Sequence, residues 1–218
     1  MKVGTDGILL GAWGKLNRPR RILDIGTGSG LISLMLAQRT ETEKAKIIAV
    51  EIDKLAAEQA RVNVVNSPWA KRIQVETLSI EDFQDPDPFD LIVCNPPFFE
   101  ASLESPNQSR AQARHSETLT KRMLLETCSK WLTPEGIMCL IFPADQFDAF
   151  KTLVQEFGLG ISRLTWVRPF PEKPPKRFLV EVARVHHVIV EDELVLETTR
   201  HCYTDAFKAL TSGFYLNH

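Results

Sequence analysis

The chain has 218 residues, of which 44% are hydrophobic and 25% charged, with a formal charge of −2 at pH 7. That balance excludes a disordered chain and, with so small a net charge, a protein that coats nucleic acid by charge alone. No apolar run approaches the roughly 20 residues that span a bilayer, and the start Met-Lys-Val-Gly-Thr-Asp-Gly lacks the apolar core of a secretory leader, so a cytoplasmic location is expected.

In chain order, the apolar stretch from Ile8 to Trp13 can open a short helix. Strand patterns follow at 21–25, 46–51, 72–78, 89–94 and 136–142, interleaved with helical patterns at 30–37, 54–66, 119–132 and 145–157. Strands alternating with helices argue for βαβ units and a mostly parallel sheet with helices on both faces. The ending departs from that rhythm. Residues 161–167 and 177–185 both read as strands, and the proline-rich link between them is too short for a helical crossover. They are therefore expected to pair antiparallel. The expectation is one domain over 1–218: a Rossmann-like fold with a seven-stranded, mostly parallel sheet and an antiparallel terminal hairpin.

Cys94, Cys128, Cys139 and Cys202 are scattered, and the five histidines show no ligand-like spacing, so neither a disulfide nor a metal site is expected. The pair His186-His187 reads as satisfied or exposed.

Chemistry concentrates at two strand ends. After the first strand comes Asp24-Ile-Gly26-Thr-Gly28-Ser-Gly30. Alternate glycines allow a sharp turn and close backbone approach to a ligand, and the next helix opens with free N–H groups for a carboxylate or phosphate. Glu51 closes the second strand, where an acid can bind both hydroxyls of an unphosphorylated ribose. The spacing is G-x-G-x-G rather than the dinucleotide pattern G-x-G-x-x-G. It favours S-adenosylmethionine and leaves NAD open. Asp82, after the third strand, can bond the cofactor adenine or simply cap a turn. Thr5 and Asp6 can reach the methionine end.

The second strand end is Asn95-Pro96-Pro97-Phe98, following the apolar run 89–94. An exocyclic amine on adenine gives its lone pair to the ring and is a poor nucleophile. A site helps by accepting both N–H protons, which localises the lone pair and compensates the developing positive charge. The Asn95 side-chain carbonyl and the Pro96 backbone carbonyl form such a pair. The prolines, Pro97 included, hold the turn rigid, and Phe98 can stack on the base. A loop initiator with no chemistry is the bland reading; a glycine loop on the neighbouring strand end argues against it. Arg110 and Arg114 on the segment leaving Phe98, with Lys173, Lys176 and Arg177 on the terminal hairpin, are expected to make the mouth locally basic and to contact RNA.

These motifs, DIGTGSG, AVEID and NPPF, resemble those of the class I adenosylmethionine-dependent methyltransferases that modify exocyclic or amide nitrogens. The segments at 2–13 (KVGTDGILLGAW), 112–115 (QARH) and 203–216 (YTDAFKALTSGFYL) are similar to the bacterial tRNA1(Val) adenine N6-methyltransferase family, and the likeness runs through essentially the whole chain. The resemblance implies a target adenosine just 3′ of the anticodon, extruded from its stack. It implies that Asp24, Gly26, Gly28, Gly30, Glu51 and Asp82 hold the cofactor, and that 95–98 hold the adenine. Many relatives carry tyrosine where Phe98 stands; the phenylalanine here keeps the stacking and lacks the hydroxyl contact. Relatives also carry a phenylalanine-rich segment ahead of the position of Lys2, so either an earlier start or a missing cofactor-side lid is expected.

Two other readings stay open. A protein glutamine N5-methyltransferase shares the Asn-Pro-Pro-aromatic logic but usually has a helical domain before the glycine loop. A binder of adenosylmethionine or NAD without methyl transfer would not need Asn95. A DNA adenine methyltransferase would be expected to carry an inserted recognition domain. The working expectation is a monomer that acts on the anticodon region of tRNA.

Overall fold

The computed structural model describes residues 4–42, 44–96, 120–185 and 188–215. The strands are β1 (Arg21–Ile25), β2 (Lys46–Glu51), β3 (Ile73–Thr77), β4 (Phe89–Cys94), β5 (Leu132–Pro143), β6 (Gly160–Arg168), β7 (Arg177–Ala183), β8 (Val190–Val195), β9 (Glu197–Thr199) and β10 (Cys202–Tyr203). The helices are α1 (Thr5–Trp13), α2 (Leu31–Arg39), α3 (Lys54–Val65), α4 (Lys121–Trp131), α5 (Phe147–Glu156) and α6 (Asp205–Thr211).

The main sheet has eight strands in the order β3-β2-β1-β4-β5-β7-β6-β8, while β9 and β10 form a separate hairpin. Pairing is parallel from β3 through β5, and only β7 runs against its neighbours. The β6–β7 hairpin is antiparallel as its short link demands, and β6 runs with β1 to β5. The loop 169–176 therefore lies at the carboxyl edge of the sheet, where open α/β sheets take their ligands.

Both faces are covered, which is why the strands read as continuous apolar runs. Ile22, Leu91, Val93, Cys139, Ile141 and Leu179 face a core shared with Leu9, Leu10 and Trp13 of α1, Leu36 of α2 and Phe207 of α6. Leu23, Ile25, Ile92, Cys94, Met138 and Leu140 face the other core, with Leu124, Leu125 and Cys128 of α4 and Phe150 of α5. There Phe142, Phe147, Phe150, Trp166 and Phe178 form a connected aromatic cluster with centroid separations of 5.0 to 6.0 Å. Cys94, Cys128 and Cys139 are buried and free; burial pushes the Cys128 thiol up to about 12.

The sheet has one strand more than the seven expected. Strand β8 was invisible because Val190, Glu191, Asp192 and Glu193 are all exposed and follow no period-two pattern. It forms at the sheet edge through backbone pairing with β6 and through partners for its acids. The Trp166 indole donates to Glu191 at 2.8 Å, Thr165 donates to Asp192, and Arg163 lies 3.7 Å from Asp192. No described helix is long and apolar enough to cross a membrane.

Candidate active site

The glycine loop joins β1 to α2. Gly26, Gly28 and Gly30 all have positive φ, at 68°, 59° and 82°, a region in which side chains with a Cβ are strained. At Gly30 a Cβ would also lie 3.4 Å from Ala60 Cβ, so the loop sits close on α3. The loop is bonded to its neighbour strand: Gly26 and Thr27 N–H both donate to the Val50 carbonyl, at 2.8 and 3.1 Å. From α3, the Asn63 side-chain amide donates to the Ser29 carbonyl at 2.8 Å.

Glu51, at the end of β2, completes this frame. Its Oε2 accepts the Gly28 N–H at 2.8 Å and its Oε1 accepts the Asp53 N–H at 2.9 Å. Each oxygen keeps a further lone pair for a hydroxyl donor. Asp24 is fully buried. Its Oδ2 accepts from Thr27 at 2.6 Å and Ser33 at 2.7 Å, while its buried Oδ1 has no partner among the described residues. Burial pushes the Asp24 carboxyl up to about 6, against the two hydroxyl bonds and with help from the Glu51 charge.

Asn95 follows β4. Ile25 pairs with Cys94, so the glycine loop and Asn95 leave neighbouring strand ends together. Asn95 is half-buried and Pro96 is buried. A Cβ placed on Gly7 would lie 3.3 Å from Leu31 Cδ2 and 3.9 Å from Asn95 Nδ2, so the first turn of α1 walls the Asn95 amide. Pro97, Phe98, Arg110, Arg114 and the 112–115 motif lie outside the described residues, as does the pair His186-His187.

The remaining expected residues are divided. Asp82 is exposed in a turn, its Oδ2 accepting from Ser79 at 2.9 Å while its N–H donates to the same hydroxyl at 3.2 Å. Thr5 is exposed in the first turn of α1. Asp6 is ion-paired with Arg177, which donates through Nε to Oδ2 at 2.9 Å. Lys173 and Lys176 stand exposed on the carboxyl-edge loop. The sequence pattern contained Gly7 and Arg177 but no signal that they meet Asn95 and Asp6. Among the described residues, no group of three or more His, Cys, Asp or Glu is placed to hold a metal ion.

Residues 6–159 match the family model for the methyltransferase small domain. Across its full length the chain is 45% identical to the tRNA1(Val) (adenine(37)-N6)-methyltransferase of Bacteroides thetaiotaomicron, covering 91% of that protein. The protein of the same name from Phocaeicola vulgatus is 46% identical, again over the whole chain and 92% of the relative. The chain belongs to the tRNA1(Val) (adenine(37)-N6)-methyltransferase family. The likeness in this methyltransferase family extends to Flavobacterium psychrophilum, at 44% identity over 99% of the chain and 93% of the relative.

Solved structures support the fold of this methyltransferase. One of a predicted O-methyltransferase from Agrobacterium tumefaciens superposes with a TM-score of 0.71 at 21% identity, over 96% of each chain. A type I restriction-modification methyltransferase subunit from Streptococcus thermophilus gives 0.64 at 15% identity, over 99% of this chain and 54% of that one.

Proposed function

We propose that the protein methylates the exocyclic N6 of adenosine 37, just 3′ of the anticodon, in tRNA1(Val), with S-adenosylmethionine as methyl donor. The observation that carries this reading is the juxtaposition of Asn95 with the glycine loop on adjacent strand ends, in a chain over 40% identical throughout to proteins named for that reaction.

The cofactor-side residues fit adenosylmethionine. The three positive-φ glycines allow close backbone approach, Glu51 has acceptor capacity for ribose hydroxyls, and the unpartnered Asp24 Oδ1 can meet the cationic amino-acid end. Asp82 offers a carboxylate toward the adenine, and Thr5, in the first turn of α1, reaches toward the methionine end. When bound, the cofactor supplies an electrophilic methyl on its sulfonium sulfur.

Asn95 and Pro96 do the rest. Their carbonyl oxygens accept the two N–H protons of the adenine amine and hold its lone pair on nitrogen, directed at the methyl. The nitrogen gains positive charge as the new bond forms, and the same two acceptors stabilise it. The proton then leaves to solvent, so no strong general base is needed. Pro97 fixes the turn and Phe98 stacks on the base. Lys173 and Lys176, with Arg110 and Arg114, contact the RNA backbone at the mouth. The reaction belongs in the cytoplasm, with the chain working as a monomer.

The test is incubation with labelled adenosylmethionine and unmodified tRNA, followed by digestion to nucleosides. Label in N6-methyladenosine, lost when adenosine 37 of the tRNA is replaced by another base, is the expected result; label that survives the replacement, or none despite cofactor binding, would overturn the reading. Reversing Lys173 and Lys176 to Glu should weaken tRNA binding most at low salt and spare cofactor affinity. Filter binding across a salt series decides that, and an unchanged salt slope removes the loop from the interface.

A further inference from the structure

We infer that the ion pair between Asp6 and Arg177 is a positioning latch: it holds the first turn of α1 against Asn95 and ties that turn to the loop offered to RNA. The inference rests on the reading of Asn95 as the amine acceptor, and it assigns Asp6 and Arg177 as positioning residues rather than as cofactor and RNA ligands.

Among the described residues, helix α1 has little of its own to fix its start. Its N-cap is Gly4, which provides no side-chain cap, and the first backbone bond, from Ile8 N–H to the Gly4 carbonyl, is long at 3.5 Å. The far end is secured independently. There Trp13 Nε1 donates to Thr165 at 2.8 Å, the Arg163 guanidinium lies 4.3 Å above the Trp13 ring, and Arg163 donates to the Trp13 carbonyl at 3.3 Å. At the near end the Asp6 carboxylate meets Arg177, a residue 171 positions away. An acid in the first turn also suits the helix dipole.

The next residue is Gly7, whose backbone faces Leu31 and the Asn95 amide. Any tilt of this turn therefore changes the wall against which Asn95 settles. On the other side, Arg177 opens β7 between Pro143 of β5 and Val167 of β6. The loop before it is firmly seated: Lys176 N–H donates to Val167 at 2.8 Å, Ala144 N–H donates to Lys176 at 3.1 Å, and Arg168 donates to the Lys173 carbonyl at 2.9 Å. A nucleic acid docked on Lys173 and Lys176 is thereby held in register with Arg177, Asp6, Gly7 and Asn95 in turn.

The energetics favour a positioning role over a stabilising one. The two side chains are 32% and 26% exposed, and ion pairs that water still reaches contribute little to global stability. A reacting group displaced by 1 Å, by contrast, can cost about 100-fold in rate.

The test compares Asp6→Asn, Arg177→Gln and the double variant with the parent protein. Steady-state methylation of tRNA is measured alongside cofactor affinity by calorimetry and Tm. Each single variant is expected to lower kcat about ten-fold, with cofactor affinity and Tm barely moved. The double variant should be no worse than Arg177→Gln alone, since both changes break the same ion pair, while Arg177 also donates to the Lys176 carbonyl at 3.0 Å. An unchanged kcat, additive losses, or a fall in Tm large enough to explain the lost activity overturns the latch. So does a loss confined to cofactor affinity in Asp6→Asn, or to KM for tRNA in Arg177→Gln, because each makes the residue a direct ligand. Asn95→Ala in parallel separates the two inferences. Normal turnover there removes the acceptor reading, whereas an inactive Asn95→Ala beside a normal Asp6→Asn removes the latch alone.

Discussion

The two halves of the site leave neighbouring strand ends, yet they are built in different ways. On the cofactor side, Asp24 is bonded by Thr27 and Ser33, Gly28 by Glu51, and Glu51 in turn by Asp53. All of these lie within the first two strand-loop-helix units. On the acceptor side, Asn95 is framed by a helix whose ends are fixed from far along the chain, Asp6 by Arg177 and Trp13 by Thr165. The first half is a local device that many α/β proteins can carry. The second exists only when the whole sheet is assembled.

The largest effect that would sharpen this contrast is at Asn95. Asn95→Ala should lower turnover by about 100-fold or more, since it removes a preorganised acceptor at developing charge, while calorimetry finds cofactor affinity intact. Comparable loss of both would mean that the two halves are not separable.

The next effect belongs to the cofactor side and is read by pH. The Asp24 carboxyl is raised to about 6 in the folded chain by burial, from about 3.9 when unfolded. Between those values the folded state binds more protons than the unfolded one. Stability of the ligand-free protein should therefore fall as pH rises from about 4 to 6, by on the order of 3 kcal/mol, and level off above. Urea titrations across that range test the slope, and Asp24→Asn should flatten it. Cofactor affinity should run the opposite way, rising through about pH 6 as the carboxylate ionises to meet a cation.

The smallest effect is at the far end of α1. Thr165→Val leaves the Trp13 N–H without its buried acceptor and should cost about 1–3 kcal/mol in urea stability. Turnover at low temperature should stay near the parent value, because that bond is remote from Asn95. A selective loss of kcat would show that the acceptor frame is sensitive along the whole helix.

The same local and distant division governs what could be read from the amino acids. Strands β1, β2 and β4 were legible to the residue because each is a short buried run ending in chemistry. The glycine loop and Glu51 were legible because their spacing is itself the geometry. The β6–β7 hairpin followed from a link too short for any crossover. Strand β8 was not, since Glu191, Asp192 and Glu193 look like a solvated loop until Trp166, Thr165 and Arg163 are seen beside them. Likewise Asp6 and Arg177 each had a plausible ligand role alone, and no pattern along the chain joins residues so far apart. Gly7 is the instructive case. It stood in plain view in Gly-Thr-Asp-Gly, but its tight seat against Leu31, beside Asn95, needs the tertiary fold to be seen.

Helix α1 also rests on α6, with Leu9, Leu10 and Trp13 sharing a core with Phe207, and Gln38 of α2 donates to the Gly213 carbonyl at 2.9 Å. The helix that walls Asn95 is thus seated on residues around Phe207, far along the chain, whereas the glycine loop is braced by Glu51 and Asn63 close by. Loosening α6 would therefore disturb the Asn95 half of the site through α1 and leave the glycine loop in place.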